Sequence, residues 1–312
     1  MQGKTVQGKT RMSRLFRVAS LLLVAGLFVA ACGGGGSEGA GQGEAQKNVS
    51  IGYIPWDEDI AVTHLWQDLL EKQGYNVELK QLEVGPLFQG VARGDLDLFY
   101  DVWLPTTHQS YWEQYGDQVE KLGDWYDNAS LEWTVPAYVE DVNSIADLKG
   151  KSAEFNGQII GIEAGAGLTA ASKDKVIPEY GLADEYTLKT SSTPAMLQEL
   201  KRSIDAKRPV VVTLWHPHWA YSAYDLKDLE DPKGALGEAE TLSVIGKQGF
   251  SDEFPEIAGW IKNFSMTDEQ LASLENEMQK AGSGNETQAV DTWLQNNPDF
   301  ATGLGMPSSP SS

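Results

Sequence analysis

Apolar residues along this chain recur in short blocks whose period alternates between two and about 3.6 residues, the signature of strands interleaved with helices. Ile51–Ile54 reads as a strand running straight into Trp56, and Asp59–Gln73 as a helix carrying Leu65, Trp66, Leu69 and Leu70 on one face, stopped by Gly74. Val77–Val84 alternates as a strand, Pro86–Arg93 is helical, and Leu96–Val102 is a strand ending at Trp103. A helix over Thr106–Tyr115 and a strand over Leu131–Val139 follow, and Ser144 with Asp147 forms a capping box. A second series then begins. Ile159–Glu163 is a strand, Gly165-Ala166-Gly167 a turn, Leu168–Tyr180 a helix and Tyr186–Thr190 a strand. Ser192 caps a helix over Pro194–Asp205, and Val210–Leu214 is an apolar strand ending at Trp215. Beyond about Ser251 the pattern is helical: Asp252–Asn263, Thr267–Lys280 and Glu286–Gln295, with residues 306–312 expected as a disordered tail. Alternating strands and helices predict α/β layers with mainly parallel sheets. The two series predict two lobes, residues 48–138 with 222–305 and residues 139–221. Ligands bind at strand ends in such sheets, so the cleft between the lobes is the expected site.

The first 31 residues depart from this pattern. They hold five basic side chains (Lys4, Lys9, Arg11, Arg14, Arg17), no acidic ones, and an apolar run from Val18 to Ala31. A basic start, a short apolar stretch and small residues at a cut site read as a secretory signal. The run is shorter than the roughly 20 apolar residues a membrane-spanning helix needs. Val29-Ala30-Ala31-Cys32 is similar to a bacterial lipobox, which implies lipidation of Cys32 and anchoring to the outer face of the cell membrane. Two or three acyl chains hold a protein far better than one, at about 0.8 kcal/mol per buried methylene. Cys32 is the only cysteine, so no intramolecular disulfide competes for it. Residues 32–47 then read as a Gly-rich tether reaching about 20 Å.

Charge narrows the partners. The whole chain carries a formal −21, and removing the five leader cations leaves −26. Such a surface disfavours nucleic acid and anionic lipid.

Among ten tryptophans, three share an unusual context: Pro55-Trp56-Asp57, Trp103-Leu104-Pro105 and Trp215-His216-Pro217 each follow an apolar strand. Three indole faces in one cleft would suit a quaternary ammonium, which has no N–H and is held by cation–π attraction and shape. Each desolvated contact contributes about 2 kcal/mol, so three supply about 6. Micromolar binding needs roughly 8 kcal/mol, so a second handle on the ligand is required. Core packing and stacking on sugar rings are the competing uses of the same indoles. Asp57 and Glu58 either add negative potential beside the tryptophans or cap the following helix. Trp112 and Trp219 read as packing residues.

The stretches IGYIPWDEDIAVTHLW, DLDLFYDVWLPTTHQSYWEQYGD, IIGIEAGAG and VVVTLWHPHWAYSAYDLKDLEDPKG resemble the glycine betaine-binding proteins of ABC transporters, over about residues 48–275. The resemblance implies a two-lobed α/β fold of the periplasmic-binding-protein type (type II), with the ligand cleft between the lobes. It implies a trimethylammonium cage at Trp56, Trp103 and Trp215, delivery to a membrane permease, and compatible-solute uptake under osmotic stress. It also places a carboxylate-binding histidine at His108, within the first turn of the helix after Trp103. The backbone N–H groups of Gly167 and Leu168, where the next helix opens, suit the same carboxylate. Choline or carnitine is the alternative ligand within the family.

Other chemistries find less support. His216-Pro217-His218 invites a zinc test, but the proline stiffens the pair and no further ligand stands out, so no metal is expected. An exported carbohydrate-binding protein or hydrolase is the rival class. No acid pair is marked out and no P-loop is present, so neither an enzymatic step nor a cofactor is expected, and the ATPase and permease are expected to be separate chains.

Overall fold

The structure is a computed structural model in which residues 47–307 are described. The leader, Cys32, the tether up to residue 46 and residues 308–312 lie outside the described residues. Strand and helix alternate as the periodicity predicts: β1 (Asn48–Tyr53), α1 (Asp57–Lys72), β2 (Asn76–Gln81), α2 (Val84–Arg93), β3 (Leu98–Leu104) and α3 (Gln109–Tyr115). An 18-residue strand, β4 (Val119–Pro136), leads to the second series: β5 (Gln158–Ile160), α4 (Gly167–Ala171), α5 (Ile177–Glu179), β6 (Thr187–Lys189), α6 (Thr193–Asp205) and β7 (Val212–His216). After α7 (Ala220–Ala223) and β8 (Leu226–Asp228), β9 (Glu240–Lys247) precedes the helices α8 (Phe250–Glu253), α9 (Pro255–Lys262), α10 (Asp268–Ala281), α11 (Glu286–Asn296) and α12 (Phe300–Gly303). The capping box at Ser144 and Asp147 and the Ser192 cap on α6 both form.

The strands follow the order β2-β1-β3-β9-β4-β7-β5-β6, with β8 beside β4. Two parallel patches, β2-β1-β3 and β7-β5-β6, are joined through antiparallel β9 and β4. The expectation of mainly parallel sheets is therefore corrected to a mixed sheet. Within β4, residues 119–129 pair with β9, whereas residues 130–136 pair with β7 and β8, so one strand serves both patches. Three register shifts and a positive φ at Asn128 mark its β9-paired part, the local irregularity by which a strand bends and twists. No helix among the described residues is long and apolar enough to cross a membrane.

Two further expectations change. The helix expected over Leu168–Tyr180 is broken by a wide π turn at Ser172–Val176. Met306, expected in a disordered tail, is buried in the core and its N–H donates to the Ala301 carbonyl. The surrounding Ser and Pro masked one apolar side chain that has a core to join.

Candidate functional site

The C-terminal ends of parallel strands from both patches meet over one pocket of about 240 Å³. Trp56 follows β1, Trp103 lies near the end of β3 and Trp215 near the end of β7, and all three line the pocket. Each is nearly buried, at 5%, 2% and 3% exposure. Large aromatics at strand ends are here neither loose on the surface nor ordinary core. Leu168 lines the pocket as well, with Ile162 and Ala166 from the segment after β5, and Leu131 from β4.

Every one of these indoles is tethered through its N–H to a carboxylate. Trp56 Nε1 donates to Glu163 Oε2 at 3.3 Å, Trp103 Nε1 to Asp101 Oδ1 at 3.0 Å, and Trp215 Nε1 to Glu58 Oε2 at 2.8 Å. A fourth, Trp219, donates to Asp57 Oδ1 at 2.6 Å, so it does more than pack. Three of the four bonds run between the β1–β3 side and the β5–β7 side of the pocket. Such bonds orient each ring and place an acid at its N–H edge.

Asp57 and Glu58 do not cap α1. The N-cap residue is Trp56, without a side-chain cap, and the two acids sit in the first turn and reach for indoles instead. Burial pushes the Glu58 carboxyl well up, with Asp57 and Asp59 adding to the rise. Burial likewise raises Asp101 and Glu275 well above the usual range, and lifts Asp59 to about 7. Glu58 Oε1 faces no hydrogen-bond partner among the described residues, and Glu58 also lines the pocket. The site thus combines aromatic faces with carboxyl groups and no lysine or arginine, an environment for a soft cation.

His108 is the N-cap residue of α3, one step before the helix in which the sequence pattern puts it, and is fully buried. Its ring stacks on Trp56 at 5.7 Å and 18°. The backbone N–H of Trp103 donates to His108 Nδ1 at 3.0 Å, so the ring proton resides on Nε2, which has no partner among the described residues. Burial lowers the imidazole to about 3, keeping it neutral. His108 is not among the residues that line the pocket, but it stacks on Trp56, which is. The other expected donors stand at the start of α4, where Gly167 and Leu168 have no earlier helical turn to bond. Gly167 lies so close to Thr107 that an added Cβ would sit 2.2 Å from the Thr107 carbonyl oxygen.

The histidines near Trp215 are arranged differently from the zinc test posed by the sequence. His218 Nε2 lies 3.2 Å from Asp57 Oδ2, whereas His216 Nε2 meets Asp228 Oδ2 at 2.7 Å with Glu132 close by. Strand pairing supplies acids that sequence distance hid, but Asp228 is already engaged by His216, Tyr221 and Thr134.

Comparison with known proteins gives a consistent picture. A family profile described as the substrate binding domain of ABC-type glycine betaine transport system matches residues 47–296. The glycine betaine/carnitine transport binding protein GbuC of Listeria monocytogenes is 38% identical over 152 residues, which is 48% of this chain and 50% of that protein. The alignment therefore spans only half of that relative's length. Lactococcal OpuAC, in its closed-liganded conformation complexed with glycine betaine, is 30% identical with a TM-score of 0.76, covering 83% of this chain and 99% of its own. The glycine/betaine/L-proline-binding protein ProX of Borrelia burgdorferi is 31% identical with a TM-score of 0.78, covering 84% and 97%.

Proposed function

Starting from a chain that belongs to the family of substrate-binding domains of ABC-type glycine betaine transport systems, with its two-lobed α/β fold, we propose that it captures glycine betaine and hands it to a permease. The observation that supports this reading is a pocket lined by three indoles and Leu168, with His108, itself outside the lining, stacked on Trp56 and its Nε2 unclaimed among the described residues. Trp56, Trp103 and Trp215 form the cage for the trimethylammonium group, and the unclaimed His108 Nε2–H, with the N–H groups of Gly167 and Leu168, receives the carboxylate. Three cation–π contacts supply about 6 kcal/mol, and a hydrogen bond to a charged group adds about 1.5–3. Together they reach the roughly 8 kcal/mol of micromolar binding.

The reading assigns the protein no chemical step. Ligand bridges two lobes, residues 48–138 with 222–305 and residues 139–221, and favours the closed arrangement by its contacts to both. Strand pairing changes sides close to these limits: β4 leaves β9 after Ala129, and its residues 130–136 pair with β7 and β8. Cys32 carries the lipid, residues 33–47 hold the domain clear of the membrane, and the protein works on the extracytoplasmic face. Choline is the second reading, favoured by Glu58 Oε1, an atom of a pocket-lining residue that has no partner among the described residues and would pair with a hydroxyl. Titrating the protein with glycine betaine, carnitine and choline while following Trp fluorescence tests the proposal. Absence of saturable change with all three would refute it. Palmitate labelling that survives Cys32→Ser would refute the anchor.

A further inference from the structure

The loop that carries His108 is held from three sides, and one of its holders is a buried acid far away in sequence. Residues 104–107 span a closed ring in which the Trp103 N–H donates to His108 Nδ1 and the His108 N–H donates to the Trp103 carbonyl, both at 3.0 Å. Opposite this ring stands Glu240, the first residue of β9, only 3% exposed. Its Oε2 accepts the Thr106 N–H at 2.7 Å and the Thr107 N–H at 2.8 Å, and its Oε1 accepts the Thr107 hydroxyl. No lysine or arginine pairs with it among the described residues. The charge is instead met by three convergent donors of one loop, an arrangement that defines the loop's position closely. Thr107 lines the pocket and its carbonyl abuts Gly167. Displacing residues 106–107 therefore displaces His108 Nε2 relative to the N–H groups at Gly167 and Leu168.

We propose that Glu240 is a positioning residue for ligand capture, fixing the 104–108 loop so that His108 and the start of α4 face one carboxylate. This rests on the reading of His108 as the carboxylate donor. The role is geometric: a glutamine at 240 has a carbonyl oxygen for the two backbone N–H groups and an amide that donates to the Thr107 hydroxyl.

Calorimetric titration of the whole protein and its Glu240→Ala and Glu240→Gln variants with glycine betaine and with choline tests it. In E240A the Kd for glycine betaine is expected to rise about ten- to hundred-fold, the scale of a lost charge-assisted bond. Choline, which has no carboxylate, shifts by less than about three-fold, and E240Q keeps both affinities near those of the unaltered protein. Equal losses for the two ligands, or no loss in E240A, would overturn the inference while leaving the function standing. If E240A fails to fold, Thr107→Val removes the hydroxyl bond in the same shape and should move the ratio of the two Kd values in the same direction. Should the unaltered protein bind neither ligand, the function reading falls. Amide exchange at Thr106 and Thr107 then decides separately, since faster exchange in E240A but not in E240Q supports the anchoring and unchanged exchange in E240A refutes it.

Discussion

Replacing Gly167 with alanine probes how tightly the mouth of the pocket is packed. A Cβ built at Gly167 lies 2.2 Å from the Thr107 carbonyl oxygen, 2.6 Å from its Cγ2 and 2.8 Å from its carbonyl carbon. Real Cβ contacts essentially never fall below 3.0 Å, so the two segments must part by about 0.8 Å. Thr107 has little freedom to retreat, because Glu240 holds its N–H and its hydroxyl. Overpacking of this kind costs about 1–3 kcal/mol, which corresponds to roughly a 5- to 150-fold weaker Kd if the whole cost falls on the ligand-bound arrangement. Gly165 provides a matched control two residues away. A Cβ there meets Val84 Cγ1 at 3.6 Å and the Tyr111 hydroxyl at 3.9 Å, ordinary contact distances. Fluorescence titration with glycine betaine should therefore show a clear loss for G167A and almost none for G165A. Equal affinities for G167A and the unaltered protein would mean that the close approach of Thr107 to α4 plays no part in binding.

Three further outcomes are expected. Trp→Ala at 56, 103 or 215 should weaken glycine betaine binding by about an order of magnitude or more, and Trp→Phe less, since a smaller π face remains; intact affinity in all three alanine variants, read by calorimetry, would exclude the cage. His108→Ala should reduce glycine betaine affinity by about ten-fold or more but spare choline, and because burial holds this imidazole at about 3, its contribution should be flat from pH 5 to 8. A step in affinity near pH 6.5 that disappears in His108→Ala would contradict that neutral role. The His216–Asp228 pair should stabilise the fold in a window of pH, measured by Tm against pH for His216→Gln. Burial pulls the His216 value down, but the bond and charge of Asp228 outweigh it and leave it raised; burial raises Asp228, while bonds from His216, Tyr221 and Thr134 bring it below its usual value. The histidine contribution is thus complete below about pH 6.5 and fades as pH rises through the raised value, and the aspartate contribution fades as pH falls through the lowered one. His216→Gln should cost most near pH 5 and little at pH 9, and an equal cost at both would refute the ion pair.

Much of the architecture was legible from local pattern. The strands and helices from Asn48 to Tyr115 and from Gln158 to His216 follow the apolar period closely, because their side chains face one core and their caps and stops are local. The three tryptophans stood out for the same reason: a strand end, a proline and a large aromatic are neighbours in sequence. What escaped was the part built from distant partners. No pattern in the sequence singles out Val119–Ala129, which carries Gly123, Asp124, Asp127 and Asn128 among its residues, or Glu240–Lys247. Each becomes a strand against the other, more than a hundred residues apart, since β propensity is settled by the neighbour a strand finds. The same physics hid the acids. Glu163, Glu58 and Asp57 hold indoles 107, 157 and 162 positions away, and Glu240 holds a loop more than 130 positions before it. A sequence names the groups that want partners; only the folded chain, by bringing buried donors and acceptors within 3 Å, determines which partners they take.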